Sequence, residues 1–165
     1  MLAQLLKFNS HRHRDIARDF DDAVSVRRGP RGWRVRVHIA DVAAAVEPGG
    51  ALDREARRRG NSSYFPRKMI PMLPETLSTD LMSLSPQEPK RVISMTAHIS
   101  PGGRVLGARV EEGVIKSDAR LDYDLVQEVL EGRERLEPRL QRAILEANRL
   151  AQRLRRRRMK HGAFD

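Results

Sequence analysis

Two stretches of alternating apolar and polar residues, each returning after a turn, limit the fold of this chain more than any other feature. Residues 23–26 lead into a Gly- and Pro-rich turn at 27–32, and in 33–39 one face carries Trp, Val and Ile while the other carries Arg and His. Residues 91–100 alternate again, and a Pro-Gly-Gly turn separates them from a returning stretch at 105–115. A period of two on both sides of a turn predicts a β-hairpin, so the sequence predicts two hairpins.

Other segments predict helices around these strands. They are a short basic segment at 52–59 that Gly60 ends, a segment at 122–131 and a long segment at 140–159. Residues 61–76 are rich in Ser and Pro and predict an ordered loop, whereas Leu2, Leu5 and Leu6 suggest a short helix. The predicted fold class is therefore α+β, with a twisted, largely antiparallel or mixed sheet and flanking helices.

The chain is strongly basic, with 32 Lys and Arg against 22 Asp and Glu and a formal net charge of +10. The stretch 149–160 alone contains seven basic residues and no acidic one. Such a stretch suits a polyphosphate partner, because each Lys or Arg that meets a phosphate releases condensed counterions. A solvated helix face explains the same charges equally well, so the residues alone leave both interpretations open.

Composition excludes several classes of protein. The chain has no cysteine, which excludes a disulfide scaffold, a Cys-ligated zinc site and a thiol nucleophile. No apolar run approaches the ~18 residues of a membrane helix, and the N-terminus lacks the charged region and cleavage site of a signal peptide. We therefore expect a cytoplasmic protein with no membrane partner, which either binds nucleic acid or acts as a basic scaffold.

Asp19, Asp21 and Asp22 form the most chemically informative cluster. Three carboxylates within four residues repel one another unless a cation lies among them. Mg²⁺ binds oxygen ligands, usually one or two carboxylates with waters and substrate phosphates, so the cluster is a candidate Mg²⁺ site. The alternative is a solvated acidic loop that offsets nearby arginines such as Arg14 and Arg18.

Six short motifs follow one another along the chain: ARDFDDAV at 17–24, VHIADV at 37–42, LDREA at 52–56, SYFP at 63–66, IPMLP at 70–74 and LS at 77–78. They resemble motifs of the RNB catalytic domain, which occurs in the ribonuclease II / ribonuclease R exoribonuclease family. The resemblance follows the family's order over residues 17 to about 130, and the end of the last predicted helix also has a counterpart in the family.

The resemblance implies a Mg²⁺-dependent exoribonuclease that degrades single-stranded RNA from the 3′ end and releases nucleoside 5′-monophosphates. It implies that Asp19 and Asp21 are catalytic and that Asp19 and Asp22 bind the metal. It also places Tyr64 and Tyr123 at positions where the family contacts the 3′-terminal nucleotides of RNA. Without the resemblance, ordinary half-buried packing accounts for both tyrosines.

The chain differs from the family at one acidic position, and it matches only part of the family's domain. The family has a further aspartate six residues before the position of Asp19, where this chain has His13, and Asp15 is the nearest carboxylate and a further candidate metal ligand. Residues 17–165 match only part of the family's domain and follow a poorly defined segment at 1–16, so a second chain or a further segment would complete it. The alternatives are a non-catalytic RNA-binding or interaction module derived from such a domain, and a basic protein without activity.

Overall fold

A computed structural model gives the fold and describes residues 2–3, 20–65 and 68–163, with only the backbone described for residues 2, 3 and 64. The strands within these ranges are β1 Leu2–Ala3, β2 Asp22–Gly29, β3 Gly32–Ala40, β4 Ser63–Phe65, β5 Lys68–Ile70, β6 Pro89–Ile99 and β7 Val105–Ser117. The helices are α1 Ala51–Arg59, α2 Tyr123–Leu130 and α3 Pro138–Lys160, with a 3-10 turn at Val42–Ala44 and a π-helical turn at Thr76–Leu81. None of these helices is both long enough and apolar enough to cross a membrane.

Five strands form the main sheet in the order β1-β7-β6-β3-β2, and β4 pairs with β5 in a separate small sheet. β2, β3, β6 and β7 pair in antiparallel fashion, whereas β1 runs parallel to β7. Both predicted hairpins are present, as β2–β3 and β6–β7. The predicted α+β fold, with a largely antiparallel sheet and flanking helices, is confirmed.

Gly32 closes the turn between β2 and β3 and has a backbone that other residues adopt with difficulty. Its φ is +122°, and a Cβ at this position would lie 2.0 Å from the carbonyl oxygen of Ile99. Gly29, its partner across the hairpin, has no other atom within 4 Å of such a Cβ. The close approach of β6 to the turn therefore requires glycine at position 32.

Helix α3 covers one face of the sheet near the β2–β3 turn. Leu150 of α3 packs in a buried cluster with Val26, Trp33 and Ile99. The first half of α3 packs against α2 and the segment before it, through the buried residues Leu121, Val129 and Ile144. Packing on the sheet therefore places the basic second half of α3 beside the hairpin turn.

A different cluster covers the opposite face at the other end of the β2–β3 hairpin. Successive strand residues point to opposite faces, so Ala23 and Ala40 face away from the side that α3 covers. The buried members of this cluster are Phe20, Ala23, Ala40, Met82, Leu84, Val92 and Ile115. The cluster fixes the segment just before β2 against the residues that follow the π-helical turn.

The predicted loop at 61–76 is wrong, because the segment contains two strands and the start of the π-helical turn. Ser63 of β4 pairs with Ile70 of β5, and Phe65 pairs with Lys68. The Ser and Pro content indicated a loop, but apolar residues in two short runs form a small antiparallel ladder. Runs of three residues are too short for a periodicity argument to detect.

The helix suggested by Leu2, Leu5 and Leu6 is also wrong where the structure describes it. Leu2 lies in β1 and pairs with Lys116 of β7 in parallel register. Hydrogen bonding to the edge of a sheet outweighs helical spacing in so short a segment. Leu5 and Leu6 lie outside the described residues.

His38 lies on the face of β3 that carries arginines, yet its side chain is 1% exposed. Its Nδ1 lies 2.7 Å from Ser94 Oγ, and its Nε2 has no hydrogen-bond partner among the residues that the structure describes. Burial, and secondarily the charge of Arg36, lowers the pKa of His38 from 6.5 to about 4. The folded protein therefore holds a neutral imidazole here at pH values where an exposed histidine is already charged.

We expect the free energy of unfolding to fall by about 3 kcal/mol as the pH drops from 6.5 to about 4, because unfolded His38 takes up a proton before folded His38 does. Above this range both states are neutral and the contribution of His38 is constant. Urea unfolding at a series of pH values measures the effect. His38→Gln keeps a polar group but cannot titrate, so its profile should be flatter; equal slopes in the two proteins would contradict the assignment.

Candidate active site

Phe20 anchors the acidic segment to the body of the fold. Its side chain is buried, and its N–H donates a hydrogen bond of 3.1 Å to Ser83 Oγ. Its carbonyl oxygen accepts a hydrogen bond of 2.7 Å from the Leu84 N–H. The Arg120 guanidinium lies 4.5 Å from the centroid of its ring. The backbone that leads into the carboxylates is therefore held by hydrogen bonds and by packing.

Asp21 and Asp22 follow at the point where β2 begins. The Asp21 carbonyl oxygen accepts a hydrogen bond of 2.7 Å from the Ala40 N–H, and Asp22 pairs with Ile39 of β3. Asp21 is exposed and Asp22 is half-buried. The sheet thus fixes the backbone of both residues while both carboxylates stay at least partly accessible to solvent.

Asp41 adds negative charge to the same end of the hairpin, and sequence reasoning did not single it out. It follows Ala40, the backbone partner of Asp21. One oxygen of its carboxylate accepts a hydrogen bond of 3.2 Å from the Ala44 N–H, and the other lies 3.8 Å from Arg91 Nε. Both oxygens therefore have partners, so Asp41 caps the 3-10 turn. A single carboxylate in an apolar stretch carries no pattern that predicts this position.

The structure describes only some of the other predicted site residues. Those outside the described residues are His13, Asp15 and Asp19. Tyr64 lies in β4, where its backbone pairs with Met69, and its side chain is not described. Tyr123 is the first residue of α2, directly after the N-cap Asp122, and is 40% exposed. Contact between either tyrosine and the acidic segment stays a prediction.

The accessible carboxylates suit a magnesium ion in their donor chemistry. Within residues 20–65 and 68–163, no group of three or more His, Cys, Asp or Glu side chains is arranged to hold a metal ion. Mg²⁺ usually takes only one or two carboxylates and completes its shell with waters and substrate phosphates. Asp21 and Asp22 supply two carboxylates on a fixed backbone, and oxygen donors are those that Mg²⁺ prefers. The described carboxylates therefore have the donor chemistry that the ion prefers.

Comparison with known proteins finds one matching family model and several similar proteins. The RNB domain family model matches residues 13–165. Ribonuclease R of Vibrio cholerae is 49% identical over 125 residues, which are 74% of this chain and 15% of that protein. Mycoplasma genitalium RNase R in complex with double-stranded RNA superposes with a TM-score of 0.92 at 29% identity, over 99% of this chain and 29% of that chain. The chain thus spans about a seventh of the length of the curated relative.

The same fold also occurs in a protein described as lacking nuclease function. Yeast Ssd1, a pseudonuclease, superposes with a TM-score of 0.67 at 19% identity, over 92% of this chain and 20% of that chain. At this identity the likeness concerns the fold alone. A functional conclusion for this chain must therefore rest on its site residues.

Proposed function

Because the chain belongs to the RNB domain family, we propose that it forms part of an exoribonuclease that degrades single-stranded RNA from the 3′ end and releases nucleoside 5′-monophosphates. The proposal rests on the position of Asp21 and Asp22, two adjacent carboxylates at the start of β2 with an anchored backbone. The similarity to Ribonuclease R supports RNA as the substrate class.

Asp19, Asp21 and Asp22 would hold Mg²⁺, with Asp15 as a further candidate ligand in the preceding segment. Magnesium, when bound, supplies positive charge at the scissile phosphate and lowers the pKa of a bound water. Hydrogen bonds at Phe20 hold the backbone between two of these carboxylates. Charged groups on a backbone that is already fixed need little rearrangement when the reaction begins.

In the proposed reaction, a water oxygen forms a bond to the phosphorus of the last phosphodiester while the bond from phosphorus to the preceding O3′ breaks. The released O3′ takes up a proton, and the departing nucleotide keeps its 5′ phosphate. Asp19 and Asp21 orient the attacking water through their carboxylates. Tyr64 and Tyr123 hold the terminal nucleotides so that the last phosphate lies at the acidic segment.

A non-catalytic RNA-binding module is the second candidate function. The second half of α3 supports it, because most of its basic side chains are exposed. Such a module would bind RNA through charge and would leave the phosphodiester intact. A second chain or a further segment that completes the domain is part of the first candidate, since this chain matches only a fraction of its relatives.

Incubation with 3′-labelled single-stranded RNA and Mg²⁺, with and without EDTA, tests the proposal. We expect labelled nucleoside 5′-monophosphate with Mg²⁺ and none with EDTA, because the carboxylates need a cation to offset phosphate charge. A matched 5′-labelled RNA should release its label only after the rest of the strand is degraded. RNA that is retained by the protein but stays intact under both conditions, even when the chain or segment that completes the domain is supplied, would contradict the proposal and support the second candidate.

A further inference from the structure

A basic groove surrounds the turn between β2 and β3, at the end of the hairpin remote from the acidic segment. Its volume is about 700 Å³. Its charged and titratable lining residues are Arg27, Arg28, Arg31, Arg34 and His98, and no acidic residue among those the structure describes lines it. A groove with this lining attracts anions, because cationic side chains at its walls concentrate positive potential inside it.

The sheet places these basic side chains directly opposite one another. Arg27 pairs with Arg34 across β2 and β3, and Arg34 pairs with His98 across β3 and β6. In the described part of the chain, neither Arg27 nor Arg34 forms an ion pair with an acid. Like charges opposite each other destabilise a pair of strands. A bound anion would offset this repulsion.

The positive potential extends along the same face to Arg36. Its pKa lies below the ordinary value, first because of burial and next because of the neighbouring charge of Arg34. Arg109 and Arg27 lower it further, and Glu111 acts in the opposite direction. Several guanidinium groups therefore share this end of the sheet with little acidic compensation.

Arg28 is held in place where the groove meets α3. Its guanidinium lies 3.9 Å from the centroid of the Trp33 ring, and the Trp33 indole N–H donates a hydrogen bond of 3.1 Å to Glu146. Glu146 also accepts a hydrogen bond from Arg149. An arginine that already stacks on a ring loses little further side-chain freedom when it binds a phosphate.

A second groove of about 400 Å³ continues from Arg28 and Trp33 along α3. Its other charged lining residues are Glu146, Arg149, Arg153 and Arg156. The three arginines follow one another at spacings of four and three residues, which places them on one side of the helix. The acid in this lining is already paired with Arg149. The two grooves share Arg28 and Trp33, so they meet where the hairpin turn lies beside α3.

We propose that this surface, formed by Arg27, Arg28, Arg31 and Arg34 of the hairpin with Arg153 and Arg156 of α3, binds the phosphate backbone of single-stranded RNA. The choice of RNA rests on the proposed function. Guanidinium groups bind phosphate through paired N–H donors. The aromatic residue at the junction, Trp33, is buried and offers no face for stacking bases. The surface therefore recognises charge and is insensitive to base sequence.

The position of the surface predicts a dependence on RNA length. Asp22 and Gly29 are the first and last residues of β2, so seven residue steps separate the acidic segment from the turn. At ~3.3 Å per residue this separation is about 23 Å. A strand whose bases stay stacked at ~3.4 Å needs about seven nucleotides to reach both places, and an unstacked strand needs fewer. Only RNA long enough to cover this separation should contact the surface and the acidic segment together.

Paired substitutions with equal loss of charge test the proposal. Arg31→Gln with Arg34→Gln removes two charges from the surface, whereas Lys116→Gln with Arg135→Gln removes two exposed charges outside both grooves and outside α3. Binding of a fluorescein-labelled oligouridylate of about 20 nucleotides, long enough to span both places, is measured by anisotropy in EDTA at several salt concentrations. EDTA prevents cleavage, so binding is measured separately from the proposed reaction.

The slope of log K against log salt is negative, and it should be less steep by about 1.4 in the hairpin variant. The variant loses two phosphate contacts, and each contributes ~0.7 for single strands. If the plots of log K against log salt for the variant and the unmodified protein meet near 1 M, the variant binds RNA roughly 25-fold more weakly at ~0.1 M salt. The control variant with Lys116→Gln and Arg135→Gln should change the slope by less than about 0.5. Circular dichroism of each variant shows whether it is still folded. Arg31→Gln alone changes only a residue of the turn, so weaker binding by this single variant indicates a lost contact and not unfolding.

Three outcomes would overturn the assignment. Equal losses in the hairpin variant and the control variant would mean that net charge alone attracts RNA. Unchanged binding in the hairpin variant would exclude the surface, even if Mg²⁺-dependent cleavage is observed. Poly-glutamate that binds as tightly as RNA and loses as much affinity in the variant would identify an acidic protein partner instead. If the variants lose RNA binding as expected but no cleavage is observed, the proposed reaction is overturned and the binding surface is still supported.

Discussion

Replacing Asp21 with Asn should lower Mg²⁺-dependent RNA cleavage about 100-fold or more, because charge stabilisation by a bound metal contributes several kcal/mol to the transition state. The amide is nearly isosteric with the carboxylate, so the backbone hydrogen bond from the Ala40 N–H to Asp21 should persist. RNA affinity in EDTA should stay within about twofold, since phosphate contacts supply most of it. The release rate of labelled mononucleotide and the anisotropy of labelled RNA measure the two quantities.

Glu128→Gln provides the matched control for Asp21→Asn. Glu128 lies exposed in α2, and its substitution removes the same charge from the protein. We expect its cleavage rate and RNA affinity to equal those of the unmodified protein. Equal cleavage by Asp21→Asn and Glu128→Gln would show that the carboxylate of Asp21 does not take part in the reaction.

Replacing Gly32 with Ala should lower the free energy of unfolding by about 3 kcal/mol or more, because strain and a backbone clash act together. Gly32 has φ +122°, and an added Cβ would lie 2.0 Å from the Ile99 carbonyl oxygen and 2.9 Å from the carbonyl carbon of Ser100. The clash involves backbone on a neighbouring strand, so no side-chain rotation relieves it. Urea denaturation at constant pH measures the change.

Gly29→Ala is the control for Gly32→Ala, because the two glycines face each other across the same turn. No atom lies within 4 Å of a Cβ added at Gly29. We expect a change in the free energy of unfolding within about 0.5 kcal/mol, as for other unstrained surface substitutions. Equal destabilisation by both substitutions would contradict the account of the turn.

The strands of the main sheet could be predicted because alternation and turn composition are both local signals. Residues 23–26 and 33–39 lie in β2 and β3, and 91–100 and 105–115 correspond closely to β6 and β7. The long helical pattern at 140–159 likewise lies within α3. Each of these patterns extends over enough residues for the strand period to be distinguished from the helix period.

Burial on the sheet could not be predicted, because alternation separates two faces without showing what covers each one. Ile39 is 46% exposed, whereas its neighbour His38 is 1% exposed. Helix α3 covers the face that includes Trp33 near the turn, while other residues cover the opposite face at the far end. The buried face of the sheet therefore differs between the two ends of a single strand. Only tertiary contacts determine where the change occurs.

The acidic site and the basic surface differ in how far sequence could predict them. Asp21 and Asp22 are neighbours, so their mutual repulsion is visible in the sequence. Arg120 contacts Phe20 from 100 positions away in the chain, and no local pattern predicts that contact. The basic surface likewise joins Arg28 to Arg153, and the fold alone brings those two elements together.

Binding of Mn²⁺, measured by electron paramagnetic resonance, tests most directly whether Asp21 is part of a metal site. Mn²⁺ accepts carboxylate and water ligands as Mg²⁺ does, and it requires no cleavage to be detected. We expect the unmodified protein to bind Mn²⁺ and Mg²⁺ to displace it. Asp21→Asn should bind Mn²⁺ at least ~10-fold more weakly. Equal Mn²⁺ binding by Asp21→Asn and the unmodified protein would contradict the assignment.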